Sequence, residues 1–407
     1  MTQSGAPSRY RWVVLGAGTI AQGSTAAIFL GLASVTPLLR STYHLSVPGV
    51  GVLLGVISAG ILLTLLPWGL LTDRVGERPV MVAGLLGASA ALWALPLTRS
   101  AGPAAVLLLL TGAAGASVNA ASGRAVLTWF PRRGRGLAMG VRQSSTPLGA
   151  AAAAAVLPTL GGAYGLDAVY HALAAVCLGS AVLVAATIHE PRDAAPRATG
   201  RGRLRVVLAH RGLWRLSLAS GLLVVPQFTV GALLVEYLHD AKGMAVAAAA
   251  AVLAAAQFTS AGARLVVGAW SDHVGSRVGP LRTVGLATAG CFLLVAVLDR
   301  TIQSGSFGVL APVLVLATVL ATCWNGLAFT LAGEIAPPGQ GAAAMSLQNS
   351  ANYLAAALTP VLAGAVAAQL SWTVVFLLAG LAAVGSATLL RHGLRIESTL
   401  HPPASAG

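Results

Sequence analysis

Two short segments set a carboxylate, basic side chains and glycines at matching spacing: Gly69-Leu-Leu-Thr-Asp73-Arg74-Val-Gly76-Glu-Arg78 and Gly268-Ala-Trp-Ser-Asp272-His273-Val-Gly275-Ser-Arg277. The second follows the first by 199 positions, with five residues identical. An aspartate so placed can accept hydrogen bonds from a basic side chain or from unpaired backbone N–H groups, and can let them go again. Glycine supplies the backbone freedom for a tight reversal of the chain. This is the chemistry of a latch. For covalent chemistry the sequence offers nothing comparable: no Ser/His pair, no convergent His/Asp/Glu cluster and no metal-ligand spacing. Cys177, Cys291 and Cys323 stand singly in apolar surroundings. Gly16-Ala-Gly18-Thr-Ile-Ala21 imitates a dinucleotide fingerprint, but the apolar run continues and no acidic residue precedes Asp73. No catalytic residue, metal or cofactor is therefore expected.

A second set of chemically capable residues is polar and lies inside apolar runs. Gln22, Asn119, Arg124, Arg142, Gln143, Gln227, Gln257, Arg264, Trp324, Asn325, Gln348, Asn349 and Asn352 belong to it. Such groups are costly in hydrocarbon, so they face protein or water and mark candidate ligand contacts. Any single amide could instead be an interhelical hydrogen bond. Arg124, Arg142 and Arg264 fall near the ends of their runs, where a long side chain either snorkels to headgroups or forms a basic vestibule that attracts an anion. Glu236, Glu334 and His171 lie near run ends, so no deep proton carrier stands out.

The elements that must hold these residues are membrane spans. Apolar residues make up 56% of the 407-residue chain and charged ones 9%, against roughly a quarter charged in soluble domains. The apolar residues form twelve runs near 12–34, 50–71, 79–97, 103–128, 137–159, 166–188, 213–237, 245–270, 281–298, 308–333, 341–366 and 372–390. Runs of this length cross a core about 30 Å thick. The first run is span-length and continues past any small-residue cleavage site, so it is expected to stay in the membrane.

Placing both termini in the cytoplasm puts only Arg40, Arg99, Lys242 and Arg300 of the 25 basic residues outside. The formal charge of +14 thus follows the positive-inside rule and does not call for nucleic acid. Seven charges between Glu190 and Arg205, with Pro191, Pro196 and Gly200, mark a linker over 189–211. The expected organisation is an N-terminal six-helix bundle over 1–188, the linker, a second bundle over 212–390 and a tail over 391–407. A second echo supports duplication: Met139-Gly-Val-Arg142-Gln143-Ser matches Met345-Ser-Leu-Gln348-Asn349-Ser 206 positions later.

The repeated GxxxD(R/K)xGxR pattern in both halves of a twelve-span chain resembles the signature loop of the major facilitator superfamily. The segment from Trp129 to Gln143 is similar to the connection between the fourth and fifth helices of bacterial uptake permeases of that superfamily. The resemblance covers nearly the whole chain. It implies an all-α membrane protein with twelve transmembrane helices in two pseudo-symmetric six-helix bundles about a central cavity. It also implies a gating role for Gly69, Asp73, Arg74, Gly76 and Arg78, and for Gly268, Asp272, Gly275 and Arg277, with His273 as a departure. The expected activity is secondary active transport of a small solute by alternating access, with uptake of a small organic anion leading. A coupling proton or cation is a further candidate partner, and the expected setting is a monomer among the lipids of a bacterial inner membrane.

Two alternatives stay open at this point. Pro158-Thr-Leu-Gly161-Gly162 resembles part of a drug-antiporter motif, without the glycine that should precede the proline, and Leu107 to Leu110 stand where the antiporters' arginine motif belongs. Proton-coupled drug or metabolite efflux is the first alternative. A transporter-like membrane sensor that binds a ligand without moving it is the second.

Overall fold

The computed structural model describes residues 9–98, 100–189, 203–301 and 307–391. Arg99, most of the expected linker and nearly all of the expected tail lie outside these residues. Regular structure among the described residues is entirely helical, and eleven helical runs are long and apolar enough to span a membrane. One run, Arg132–Thr187, is 56 residues long and holds two of the expected spans. They meet at Gly165, whose φ of +81° and ψ of 177° interrupt the helix while the hydrogen-bonded path stays nearly continuous. The twelve spans read from the apolar runs are thereby accounted for, and the fold is that of an all-α membrane protein.

Residues 1–207 with 336–347 form one compact unit, and 208–335 with 348–407 form the other. In the first unit, α1 (Tyr10–Gly31) passes through a tighter turn at Leu32–Val35 into α2 (Thr36–Tyr43), and α3 (Val47–Val75), α4 (Glu77–Ala94), α5 (Ala101–Trp129) and α6 (Arg135–Thr187) follow. Ser46 caps α3 by accepting the Gly49 N–H, which satisfies one of the free donors of the first turn. Gly76, with φ +99°, turns α3 directly into α4, a conformation that side chains rarely adopt. Helix α3 crosses α5 backbone against backbone: a Cβ on Gly60 would overlap Leu109 O, and one on Gly112 would overlap Ile57 O. Such contact replaces the hydrophobic drive that lipid withholds.

The second unit begins within α7 (Arg203–Ala209), a short helix where the sequence suggests only linker. It continues with α8 (Arg211–Glu236), α9 (Val246–Val274), α10 (Val278–Thr301), α11 (Phe307–Thr322), α12 (Asn325–Glu334), α13 (Gly341–Gln369) and α14 (Trp372–Arg391). The tenth span is thus two helices, α11 and α12, parted at Cys323 and Trp324. Gly275, with φ +72°, ends α9 as Gly76 ends α3. Tyr237, Phe292, Leu310, Leu314 and Phe376 lie in the core joining α8, α10, α11 and α14. Large apolar side chains such as Leu63, Val106, Val266 and Leu381 point outward and are more than half exposed, as a lipid-facing surface requires.

At one end of this unit Lys242 and Asp299 form a buried ion pair, Nζ to Oδ1 3.0 Å. Tyr237 OH (2.9 Å) and Thr373 Oγ1 (2.6 Å) donate to the same carboxylate. The sequence placed Lys242 outside the spans as an orientation signal. It is folded inward because a carboxylate one helix away satisfies its charge.

Candidate functional site

Asp73 ends the third helix buried, and its two oxygens divide their work. Oδ1 accepts the Ala342 N–H at 3.0 Å and Oδ2 the Ala343 N–H at 2.8 Å. These are free donors in the first turn of α13, so a carboxylate 270 positions away in sequence acts there as a helix cap and meets the positive end of the helix dipole. Gly69, one turn earlier on α3, makes the approach possible: a side chain there would press on Ala342 O, Ala343 Cα and Ser346 Oγ. Residues 336–347 accordingly group with the first unit, while the remainder of α13 groups with the second.

The cation facing Asp73 is Arg124 of α5, with Nε 3.3 Å from Asp73 Oδ1 and Nη1 3.0 Å from Glu77 Oε1. Thr128 Oγ1 donates to the same Glu77 oxygen. Arg74 and Arg78 are exposed; Arg124 pairs with the Asp73 carboxylate. Consecutive helical residues point apart, whereas a side chain on a neighbouring helix can face Asp73 directly.

The second repeat also sets one arginine between two acids, drawn from different elements. Arg277, in the loop itself, lies 2.7 Å from Asp272 Oδ1 and 3.4 Å from Glu334 Oε1 at the end of α12. It also donates to Ser271 Oγ, which in turn donates to Ser276 O. In the first unit the loop brings the acid and the fourth span brings the arginine. In the second, the loop segment brings both Asp272 and the arginine, and the tenth span adds a second acid, Glu334. Gly268 is buried and His273 exposed.

The intramembrane polar residues separate into two networks. In the first unit Arg142 is fully buried. Its Nε donates to Ser122 Oγ (2.7 Å), Nη1 to Gln143 Oε1 (2.7 Å), and Nη2 to Asn119 O (2.7 Å) and Gln22 Oε1 (3.2 Å). Gln22 Nε2 donates in turn to Asn119 Oδ1 at 2.8 Å. These four oxygens are neutral acceptors that orient the guanidinium. Met345, from the segment that Asp73 holds, comes up to Gly123: a Cβ there would stand 3.1 Å from Met345 Sδ and 3.8 Å from Arg142 Cζ.

In the second unit Asn325 Nδ2 donates to Gln227 Oε1 at 3.0 Å and to Thr322 O at 3.1 Å, and Thr322 O also accepts Arg264 Nε at 3.2 Å. Trp324 is wholly buried, with Nε1 bonded to Ala321 O. Gln348, Asn349 and Asn352 are buried on α13, and Gln257 is half-buried on α9. Gln227 and Asn325 follow Gln22 and Asn119 by 205 and 206 positions, so the same amide pair recurs in each repeat. That spacing was present in the sequence. Glu77, Thr128, Glu334, Ser122 and Met345 were not nominated from the sequence, Glu334 because it stands near a span end.

Comparison with known proteins agrees with this architecture. A profile of the Major Facilitator Superfamily matches residues 15–358. The Uncharacterized MFS-type transporter Rv2994 of Mycobacterium tuberculosis is 34% identical over 377 residues, covering 91% of this chain and 82% of that protein. Among solved structures, a bacterial homologue of the iron transporter ferroportin, outward-facing, aligns with a TM-score of 0.77 at 14% identity over 95% of this chain and 100% of its own. The E. coli fucose:proton symporter gives 0.75 at 16% identity over 94% and 99%. The human organic anion transporter MFSD10 gives 0.74 at 18% identity over 93% and 99%. At these identities the structures share a fold with this chain and no more is drawn from them. With the profile spanning most of the sequence and a relative one-third identical along nearly all of it, the chain belongs to the Major Facilitator Superfamily of transporters.

Proposed function

We propose that the protein moves a small organic anion into the cell by alternating access, as a secondary active transporter. The Asp73 cap on α13 is the gate latch, and the Arg142 network is the anion contact. The observation that carries the reading is the double hydrogen bond from Ala342 and Ala343 to Asp73. A charged cap holding the first turn of a helix, with Arg124 and Glu77 beside it, can exist made or broken, and a two-state element of that kind is what a gate needs. The guanidinium of Arg142 supports the substrate class, since it keeps its charge in any environment and a carboxylate would take the place of neutral acceptors that now occupy its donors.

The reading extends to the frame around these residues. Two bundles, 1–188 and 212–390, are joined by a linker over 189–211 and followed by a tail over 391–407. Both termini are cytoplasmic in a bacterial inner membrane, the transporter is monomeric among its lipids, and a proton or cation couples transport.

The test is thermal unfolding of the purified protein in detergent with a panel of carboxylates, sugars, amino acids and lipophilic cations. A ligand at 100 times its Kd stabilises by about 2.7 kcal/mol. Stabilisation by carboxylates that is lost in Arg142→Gln is the expected result. A response confined to lipophilic cations would replace uptake with drug efflux. Binding without countertransport in liposomes would make the protein a sensor.

A further inference from the structure

Internal repetition puts Gln348 where the first unit has Arg142. The segments around them align over six residues, and the amide pair that Arg142 engages, Gln22 with Asn119, recurs as Gln227 with Asn325. The two positions are used differently. Arg142 spends its donors on Gln22, Asn119, Ser122 and Gln143. Gln348 is 0% exposed, yet neither its Nε2 nor its Oε1 has a hydrogen-bond partner. One helical turn further along α13, Asn352 is 7% exposed and its Oδ1 is likewise unpartnered.

Buried amides without partners are rare, because each forfeits the hydrogen bonds that water gave it. Two of them four residues apart lie on one face of the helix. The corresponding amide pair of this unit does not relieve them: Gln227 and Asn325 bond to each other, and Asn325 also to Thr322 O. What stands unused is one amide NH2 group and two amide oxygens. A carboxylate can only accept and would leave both oxygens facing its lone pairs. An ammonium can only donate and would leave the NH2 unmatched. A hydroxyl or a carboxamide donates and accepts together, and fits both.

We propose that Gln348 and Asn352 bind a hydroxyl or carboxamide group of the transported solute. The inference rests on the transporter reading above and narrows its substrate to a small molecule bearing such a group.

The experiment measures thermal midpoints of the full-length protein with matched probes: malate against succinate, gluconate against hexanoate, and an uncharged hexitol. The wild type should favour the hydroxylated member of a pair by about tenfold or more in apparent affinity, the usual scale for a hydrogen bond that the site is built to make. Gln348→Leu should abolish that preference while leaving the ligand-free midpoint equal to the wild type's or above it, because an apolar side chain replaces an unpartnered amide. Gln348→Met is the second variant should leucine fail to fold. A fall in the ligand-free midpoint with the preference unchanged would make Gln348 a structural residue and overturn the inference. A wild type indifferent to the hydroxyl would overturn it too. If carboxylates still stabilise through Arg142 in that case, the anion reading survives. If the hexitol stabilises and carboxylates add nothing, the amide site stands and the anion reading falls. If no probe stabilises the wild type, both fall.

Discussion

Asp73 accepts the Ala343 backbone N–H at 2.8 Å across 270 positions of sequence. Replacing Asp73 with Asn turns one of its two acceptors into an NH2 group, which must face a backbone N–H. The expected outcome is normal membrane insertion with a strongly reduced transport rate, because one gate state is weakened while the bundle stays folded. Transport of a stabilising carboxylate into proteoliposomes checks this, and a wild-type rate in Asp73→Asn would sink the latch.

Arg124 sits between two buried carboxylates, with 1% and 4% side-chain exposure at Asp73 and Glu77. Removing it should therefore cost more than removing one of its partners. Arg124→Leu is expected to destabilise by about 3–5 kcal/mol, the usual range when one member of a buried pair is lost. Arg124→Leu combined with Glu77→Leu should recover part of that loss. Chemical denaturation of the three variants gives the double-mutant cycle, and strict additivity would mean that Arg124 does not couple to Glu77.

Gln22 and Gln227 hold equivalent places but carry unequal loads. Gln227 joins one amide, Asn325, whereas Gln22 joins Asn119 and also accepts from Arg142. Gln227→Leu should cost about 0.6 kcal/mol, the average for a hydrogen bond between membrane helices. Gln22→Leu should cost measurably more. Unfolding midpoints of the two variants decide between unequal and equal roles.

For Arg142 the conservative replacement is the informative one. Lys offers three donors at a single point and cannot span Ser122, Gln143, Gln22 and Asn119. Arg142→Lys should raise the apparent KM for a carboxylate nearly as much as Arg142→Gln does. In both variants the KM of a neutral analogue should move less. Equal changes for charged and neutral substrates would remove the argument from charge.

Met345 gives a readout that needs no substrate. In a chain with its three cysteines replaced by Ala, Met345→Cys should react slowly with an impermeant maleimide applied to inside-out vesicles, and several-fold faster when Asp73→Asn is added. Labelling that is fast in the single variant, or indifferent to Asp73, would show that residues 341–347 are not held closed by the latch.

Much of the fold is written in the sequence because a spanning helix needs a long apolar run, and the apolar runs lie where the helices are. Breaks inside spans were less legible. Gly165 looks like any other glycine until its φ of +81° is seen, and nothing in the apolar run from Phe307 announces the interruption at Cys323 and Trp324. The site residues divide in the same way. Repeat spacing pointed to Asp73 and Asp272, but which arginine reaches each is decided by helix packing: Arg124, from another helix, for the first, and Arg277, from the same loop, for the second. Glu77 and Glu334 stand where helix ends ordinarily meet water, so their burial, 3% exposure for Glu77 among the deeply buried charges, follows from their cationic partners and not from position. The recurrence of Gln22 and Asn119 as Gln227 and Asn325 was available from spacing alone, and only the two hydrogen bonds give it meaning.

Because the cap on α13 comes from α3, the order of synthesis matters. Asp73 enters the membrane long before Ala342 and Ala343 are made, and until then only Arg124 and Glu77, on helices completed soon after it, can keep it company. The ion pairs of Arg124 with Asp73 and Glu77 need only the first four spans, so they can form before the cap does. A ribosome that stops short of Gly341 releases a chain whose deepest carboxylate lacks its last two partners, and it is this truncated form that a membrane quality-control protease would meet.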